Sequence, residues 1–242
     1  MIKLKMIGTG SAFAKKFYNN SALITTEQGY KLLIDCGHSV PKGLHEQGMS
    51  LEDVDGILVT HLHNDHIGGL EEAALYNMFN LGGRKMDLFV PVEILDDLWD
   101  KSLSAGLEPG GFLLDDYFNV RPLHLGHSFH LYGNVMTLYP TKHVNGMFSV
   151  AVGFDRTLFY SSDSVFDADL IKIADKYSNI FHDCQLEGVG AVHSTLEELL
   201  KLPTKVQMKT YLMHYGDNMA TYKGQTGDME FAIQGRQYFL RD

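Results

Sequence analysis

Apolar residues recur along this chain with the two-residue period of half-buried strands, and elsewhere in the short unbroken runs of strands covered on both faces. Ile2 to Ile7 alternates apolar and basic side chains and predicts a strand with one buried face. Ala22 to Thr26 and Lys31 to Ile34 predict two more, with Gln28-Gly29 as a hairpin turn between them. Ile57 to Thr60 is a short buried run. Asp87 to Pro91, Asn134 to Pro140, Phe148 to Phe154, Thr157 to Tyr160 and Asn179 to His182 read the same way, and Tyr211 to His214 reads as the last strand. Helical spacing fills the gaps. Val40 to Gln47 stops near Gly48. A helix after His66 runs through Leu70, Ala73, Ala74 and Met78 to a break at Gly82-Gly83. Ile94 to Leu103, Ala168 to Lys176 and Leu196 to Leu200 follow, the last preceded by Thr195 and Glu198 at capping-box spacing. Strands alternating with helices predict the α/β class. Residues 104 to 122 fit neither period. Their breakers and apolar residues suit a lid, an oligomer contact or a loop packed on its own core.

The chemistry concentrates where the Ile57 run ends. His61, His63, Asp65 and His66 fall within six residues, followed by Gly68-Gly69. At a strand end, His61 and His63 are two apart and point to one side, while Asp65 and His66 lie on the turn beyond. One short segment can therefore hold two metal ions, two histidines to one and Asp-His to the other. Packing offers no reason to crowd four ionisable groups at one turn, because desolvating them without partners costs several kcal/mol. His124, His127 and His130 recur every three residues, but no carboxylate or cysteine accompanies them, so a second metal cluster there is disfavoured.

His61-x-His63-x-Asp65-His66 resembles the signature of the metallo-β-lactamase superfamily. The resemblance implies a four-layer αβ/βα sandwich with a dinuclear zinc site at one edge. It implies that the first zinc takes His61, His63 and His143, the second Asp65, His66 and His214, and that Asp163 bridges them. Each of these residues leaves an expected strand end. Asp35, before Cys36-Gly37, would support the ligands from behind. Gly8-Thr9-Gly10-Ser11-Ala12 followed by Asn20-Ser21-Ala22 is similar to the opening of the transfer-RNA 3′-processing branch; it lacks the Gly-Lys-Ser/Thr ending of a phosphate loop. His193-Ser194-Thr195 resembles that branch's histidine motif, which implies that His193 donates a proton to the leaving group. His182-Asp183-Cys184 stands where the branch has His-Glu-Ala, so Asp183 would orient His193 with a side chain one methylene shorter. The flavoprotein relatives that bind iron carry a glutamate where this chain has His63.

Length, charge and cysteine usage narrow the reading. The 242 residues suit one domain over 1–242. The net charge of −10 disfavours an extended nucleic acid, which calls for clustered Lys and Arg. Cys36 and Cys184 are too few for a disulfide framework and are expected reduced. No apolar run approaches a membrane span and no signal pattern opens the chain, so a cytoplasmic protein is expected. Transfer-RNA maturases carry a long arm between the third histidine and the bridging aspartate. Here His143 and Asp163 are only 20 positions apart.

A compact, acidic, armless chain is similar to the phage anti-Pycsar proteins and their bacterial relatives. That resemblance implies hydrolysis of 3′,5′-cyclic nucleotides, cyclic CMP and cyclic UMP included, to 5′-monophosphates, which would counter host cyclic-nucleotide antiviral signalling. It also implies a homodimer in which a loop of one subunit helps to close the partner's site, a role that the irregular apolar composition of 104–118 or 76–84 suits. An RNA 3′-end nuclease, a zinc lactonase or thioesterase, and a non-catalytic nucleotide sponge stay open as alternatives, as does manganese in place of zinc.

Overall fold

The structure is a computed structural model and describes residues 1–241. Its strands in chain order are β1 (Ile2–Gly8), β2 (Ser21–Thr25), β3 (Lys31–Ile34), β4 (Gly56–Leu58), β5 (Met86–Pro91), β6 (Phe118–Leu123), β7 (Ser128–Leu131), β8 (Asn134–Pro140), β9 (Val150–Phe154), β10 (Leu158–Tyr160), β11 (Asn179–Asp183), β12 (Thr210–Met213), β13 (Glu230–Phe231) and β14 (Gln237–Leu240). They form two seven-stranded sheets, ordered β14-β1-β2-β3-β4-β5-β6 and β13-β12-β11-β10-β9-β8-β7. Each sheet joins antiparallel hairpins to a parallel half. β3 to β6 are parallel in the first, and β10 to β13 in the second. The carboxyl ends of the parallel strands gather at one edge, where open α/β sheets keep their sites.

The period-2 patterning explains the layers. Leu4, Met6, Ile24, Leu32 and Ile34 of the first sheet meet Leu138, Val152, Phe154, Tyr160 and Phe181 of the second in a shared core. The opposite face of the first sheet, with Leu23, Leu33, Ile57 and Leu88, packs on helices Val40–Glu46 and Leu70–Phe79. The opposite face of the second, with Phe159, Ile180 and Leu212, packs on helices Ala168–Ala174 and Leu196–Leu199. Helix, sheet, sheet, helix is the four-layer order expected. Among the described residues no helix is long and apolar enough to cross a membrane.

Three expectations are corrected. Tyr211 to His214 is not the last strand. β13 and β14 follow, and β14 pairs with β1 at the edge of the first sheet. The segment from residue 104 is more regular than its composition suggests: the helix of Val92–Leu98 continues through a π-helical turn, Trp99–Leu103, into Ser104–Leu107, and β6 begins at Phe118. β6 is an edge strand, which tolerates Arg121 and Pro122 where an interior strand would not. The helical conformation near the histidine cluster begins at Asn64, before His66, and is interrupted at Gly68-Gly69 before Leu70.

Two loops fix the cluster's place. The N–H of Cys36 donates to the His66 carbonyl at 2.7 Å, and the N–H of Gly69 donates to the Cys36 carbonyl at 2.8 Å. Between them Gly37 lies so close that a Cβ would collide with the Asp65 carbonyl and the Asn19 side chain. Overpacking against backbone cannot relax by a rotamer change. Gly37→Ala is therefore expected to lower the unfolding free energy by about 3 kcal/mol, seen as a reduced urea midpoint at unchanged m.

Candidate metal centre and active site

The strand-end residues named from the sequence come together. His61, His63, His143 and Asp163 form one group of converging donor atoms, and Asp65, His66, Asp163 and His214 a second, all within 4.8 Å of one another in each group. The first sheet supplies His61 to His66 beyond β4; the second supplies His143 beyond β8, Asp163 beyond β10 and His214 beyond β12. His124, His127 and His130 belong to no such group among the described residues.

Donor spacing tests whether a metal fits. Two ligand atoms about 2.1 Å from a shared tetrahedral ion lie about 3.4 Å apart. His66 Nε2 is 3.4 Å from Asp65 Oδ2 and 3.3 Å from Asp163 Oδ1, and His214 Nε2 is 3.3 Å from Asp65 Oδ2 and 3.4 Å from Asp163 Oδ2. In the other group His63 Nδ1 is 3.1 Å from both His61 Nε2 and His143 Nε2, which stand 3.8 and 3.6 Å from Asp163 Oδ2. His66 Nε2 and Asp163 Oδ1 are fully buried, yet neither has a hydrogen-bond partner. Their lone pairs suit a cation between them, and the donor set suits a divalent metal.

The outer nitrogens explain how the rings are aimed. Nδ1 of His66 meets Asp35 Oδ2 at 2.7 Å, Nδ1 of His143 the Val192 carbonyl at 2.6 Å, and Nδ1 of His61 the Thr60 hydroxyl at 3.1 Å. His214 Nδ1 faces Asp183 Oδ1 at 3.4 Å. With Nδ1 tied outward as a donor, Nε2 carries the lone pair inward, the usual second layer of a metal centre. His63 alone turns Nδ1 inward. Asp35 also accepts from the Thr60 N–H at 2.8 Å and the Thr60 hydroxyl at 2.7 Å, and Ser162 of the other sheet lies 2.7 Å from that hydroxyl. Thr60, Ser162 and Val192 were not singled out in the sequence. Thr60 and Ser162 adjoin ligands in the chain, but a backbone carbonyl such as that of Val192 leaves no residue-type signal.

Backbone conformation does part of the aiming. Asp35, Ser162 and His214 have φ of 58°, 51° and 58°. Each turns the chain sharply just past a strand, in a left-handed conformation that non-glycine residues adopt at a cost.

The two groups differ in charge. Burial holds His61, His63 and His143 below the usual histidine range, as neutral imidazoles. Burial acts the same way on His66 and His214, but carboxylates outweigh it: Asp163 and Asp35 raise His66 well above its usual range, and Asp163, Asp183 and Asp65 raise His214 to about 10. Burial would raise Asp65 and Asp163, yet His214 and His66 hold both below the usual carboxylate range. Without a cation, these carboxylates keep protons on the imidazoles that face them.

His193 stands beside the cluster. Its Nδ1 is 2.8 Å from Asp183 Oδ2, which also accepts from the Ser164 N–H at 3.0 Å. Burial opposes protonation of His193, but Asp183 outweighs it and raises the ring's pKa. Asp163, Asp183, His193 and His214 lie close enough to count as a third donor group. His193 Nδ1 is already committed to Asp183, so this group is a hydrogen-bonded pair beside the cluster. Nε2 of His193 is left toward a cavity of about 370 Å³ bordered by Phe13, His63, Asp65, His143 and His214. Asp35 carries three donors in the protein interior, so Asp35→Ala is expected to cost about 3–5 kcal/mol, measured by urea unfolding of the chelator-treated protein.

Comparison with known proteins identifies the family and the fold. The profile of the family described as anti-Pycsar protein Apyc1 matches residues 2–238. An anti-Pycsar protein Apyc1 of Bacillus phage BSP38 is 54% identical over 252 aligned positions, covering 98% of each chain. One from Saccharibacillus brassicae is 46% identical, covering 98% of this chain and 99% of its own. Among solved structures, the metallo-β-lactamase fold protein YhfI from Bacillus subtilis superposes with a TM-score of 0.79 over 98% of both chains, at 17% identity, a likeness of fold. The four layers are thus a metallo-β-lactamase fold, and the chain belongs to the anti-Pycsar protein Apyc1 family.

Proposed function

We propose that the protein is a metal-dependent phosphodiesterase that hydrolyses 3′,5′-cyclic nucleotides, cyclic CMP and cyclic UMP included, to 5′-monophosphates, and so removes a messenger of host antiviral signalling. The observation that carries the reading is the His193–Asp183 pair set against a donor cluster that fits two ions. In this reading His61, His63 and His143 would hold one of two zinc ions per subunit and Asp65, His66 and His214 the other, and Asp163 would contribute to each site. Bound there, the metals supply charge neutralisation at the phosphate and a water acidified toward neutrality. Neither Lys nor Arg borders the cavity among the described residues, so no ammonium or guanidinium group takes that role.

The chain's own residues handle the proton. Hydrolysis to a 5′-monophosphate forms a bond from a water oxygen to phosphorus, breaks the bond between phosphorus and O3′, and leaves O3′ as an alkoxide in need of a proton. His193 holds that proton on Nε2 and delivers it to O3′. Asp183 fixes the ring through Nδ1 and stabilises its charged form before transfer. The Ser164 N–H and the fold around β11 keep Asp183 in place.

The remaining parts of the reading have separate supports. His143 and Asp163 are joined mainly by β9 and β10, without the arm of a transfer-RNA maturase. The chain acts as a single domain, in the host cytoplasm when phage-encoded, as the phage relatives suggest. It acts as a homodimer, for which the exposed Phe79, Phe112 and Leu113 offer apolar surface in the 76–84 and 104–118 segments. A monomer by light scattering with full activity would exclude the dimer.

Metal-loaded protein is expected to convert cyclic CMP, UMP, AMP and GMP to 5′-monophosphates. His193→Ala should keep its metal and lose about 10²- to 10⁴-fold in kcat. Asp163→Ala should lose bound metal by elemental analysis, which also decides zinc against manganese. Chelated protein should fail to bind the nucleotides by calorimetry, since the phosphate then lacks a cation. No turnover of any cyclic nucleotide, with a clean cut at the 3′ end of a precursor transfer RNA, would sink this reading in favour of the nuclease.

A further inference from the structure

The cavity does not end at the metal cluster. Beyond His193 it opens into a second compartment of about 420 Å³, and Phe13, Val192, His193 and His214 border both. Gln185, Glu187 and Asn218 line only the outer one. On the rim shared by the two stands Phe13, 87% exposed.

A ring of that size gains from burial, and the fold leaves it in solvent on a segment that is firmly held. The Ala14 N–H donates to the Ser11 carbonyl at 3.1 Å, closing a turn, and the Ser11 N–H donates to the Tyr215 carbonyl at 3.1 Å. The Asp217 carboxylate accepts from the Lys15 N–H at 2.9 Å and the Lys16 N–H at 2.8 Å. Phe13 is thus presented on a turn pinned to the loop beyond β12, the same loop that carries His214.

We propose that Phe13 is the stacking surface for the nucleobase of the bound cyclic nucleotide, with Gln185 and Asn218 facing the base edge. The inference rests on the phosphodiesterase reading and extends it to the base. With the phosphate at the donor cluster, O3′ lies by His193, and His193 borders both compartments. The ribose then leads outward, and the base reaches the outer compartment. That compartment contains the Glu187 carboxylate and no Lys or Arg among its described lining residues, so it repels a second phosphate. It suits the uncharged end of a single nucleotide and disfavours the next link of an RNA. Every base offers a π-face, so stacking on one ring serves pyrimidine and purine messengers alike. Base preference then falls to the Gln185 and Asn218 amides.

The test is steady-state kinetics of the metal-loaded protein with the four cyclic nucleotides and with abasic ribose 3′,5′-cyclic phosphate. Phe13→Ala should raise KM for all four nucleotides by about 5- to 100-fold, leave kcat nearly unchanged and leave kcat/KM for the abasic compound unchanged. Phe13→Trp should restore KM, and both variants should keep wild-type metal content. An unchanged KM in Phe13→Ala, or an equal loss on the abasic compound, overturns the stacking surface while the phosphodiesterase stands. Absence of wild-type turnover on every cyclic nucleotide overturns both.

Discussion

Seven ionisable side chains are packed where the two sheets meet, six of them buried and His63 half-buried. Burying that many groups is tolerable only when their charges and lone pairs are balanced. Much of the surrounding structure serves that balance. Asp35, the Val192 carbonyl and the Thr60 hydroxyl tie the outer nitrogens of three rings. The inner atoms that stay unsatisfied, His66 Nε2 and Asp163 Oδ1, face each other at 3.3 Å without a hydrogen bond. A divalent cation between such atoms replaces protons that the imidazoles would otherwise have to retain.

The fold answers the same constraint through its strands. Parallel strands of both sheets end at one edge, and three residues there take left-handed backbone conformations that swing the chain across the gap. Such conformations persist where the surroundings over-determine them. At this edge the surroundings are the Thr60–Asp35–His66 network on one side and Asp183 with Ser164 on the other. The Ser162–Thr60 contact joins the two sheets directly behind the cluster.

Much of this was legible in the sequence because the signals are local. His61, His63, Asp65 and His66 announce themselves within six positions, and the strands that carry His143, Asp163 and His214 have clear apolar periods. The pairing of those distant residues came through the family resemblance. β14 is hard to read because its four residues, Gln237 to Leu240, give too short an alternation of exposed and buried side chains to stand out as a period. β6 was missed because Arg121 and Pro122 dilute its pattern, which only its edge position permits. Phe13 could not be read as exposed from the sequence, since an aromatic residue between two alanines is more often packed inside.

The division of the donor set between the two sheets has a consequence for biosynthesis. The chain is made from its amino end, and by residue 66 the ribosome has delivered only His61, His63, Asp65 and His66 of the set. His143 and Asp163 follow, and His214 comes last of the set. A nascent chain therefore has half-sites to offer for most of translation. The full set converges only once the second sheet has docked on the first. The donors thus converge only when both sheets are in place, so the centre depends on the whole fold and not on the one segment that holds half of its donors.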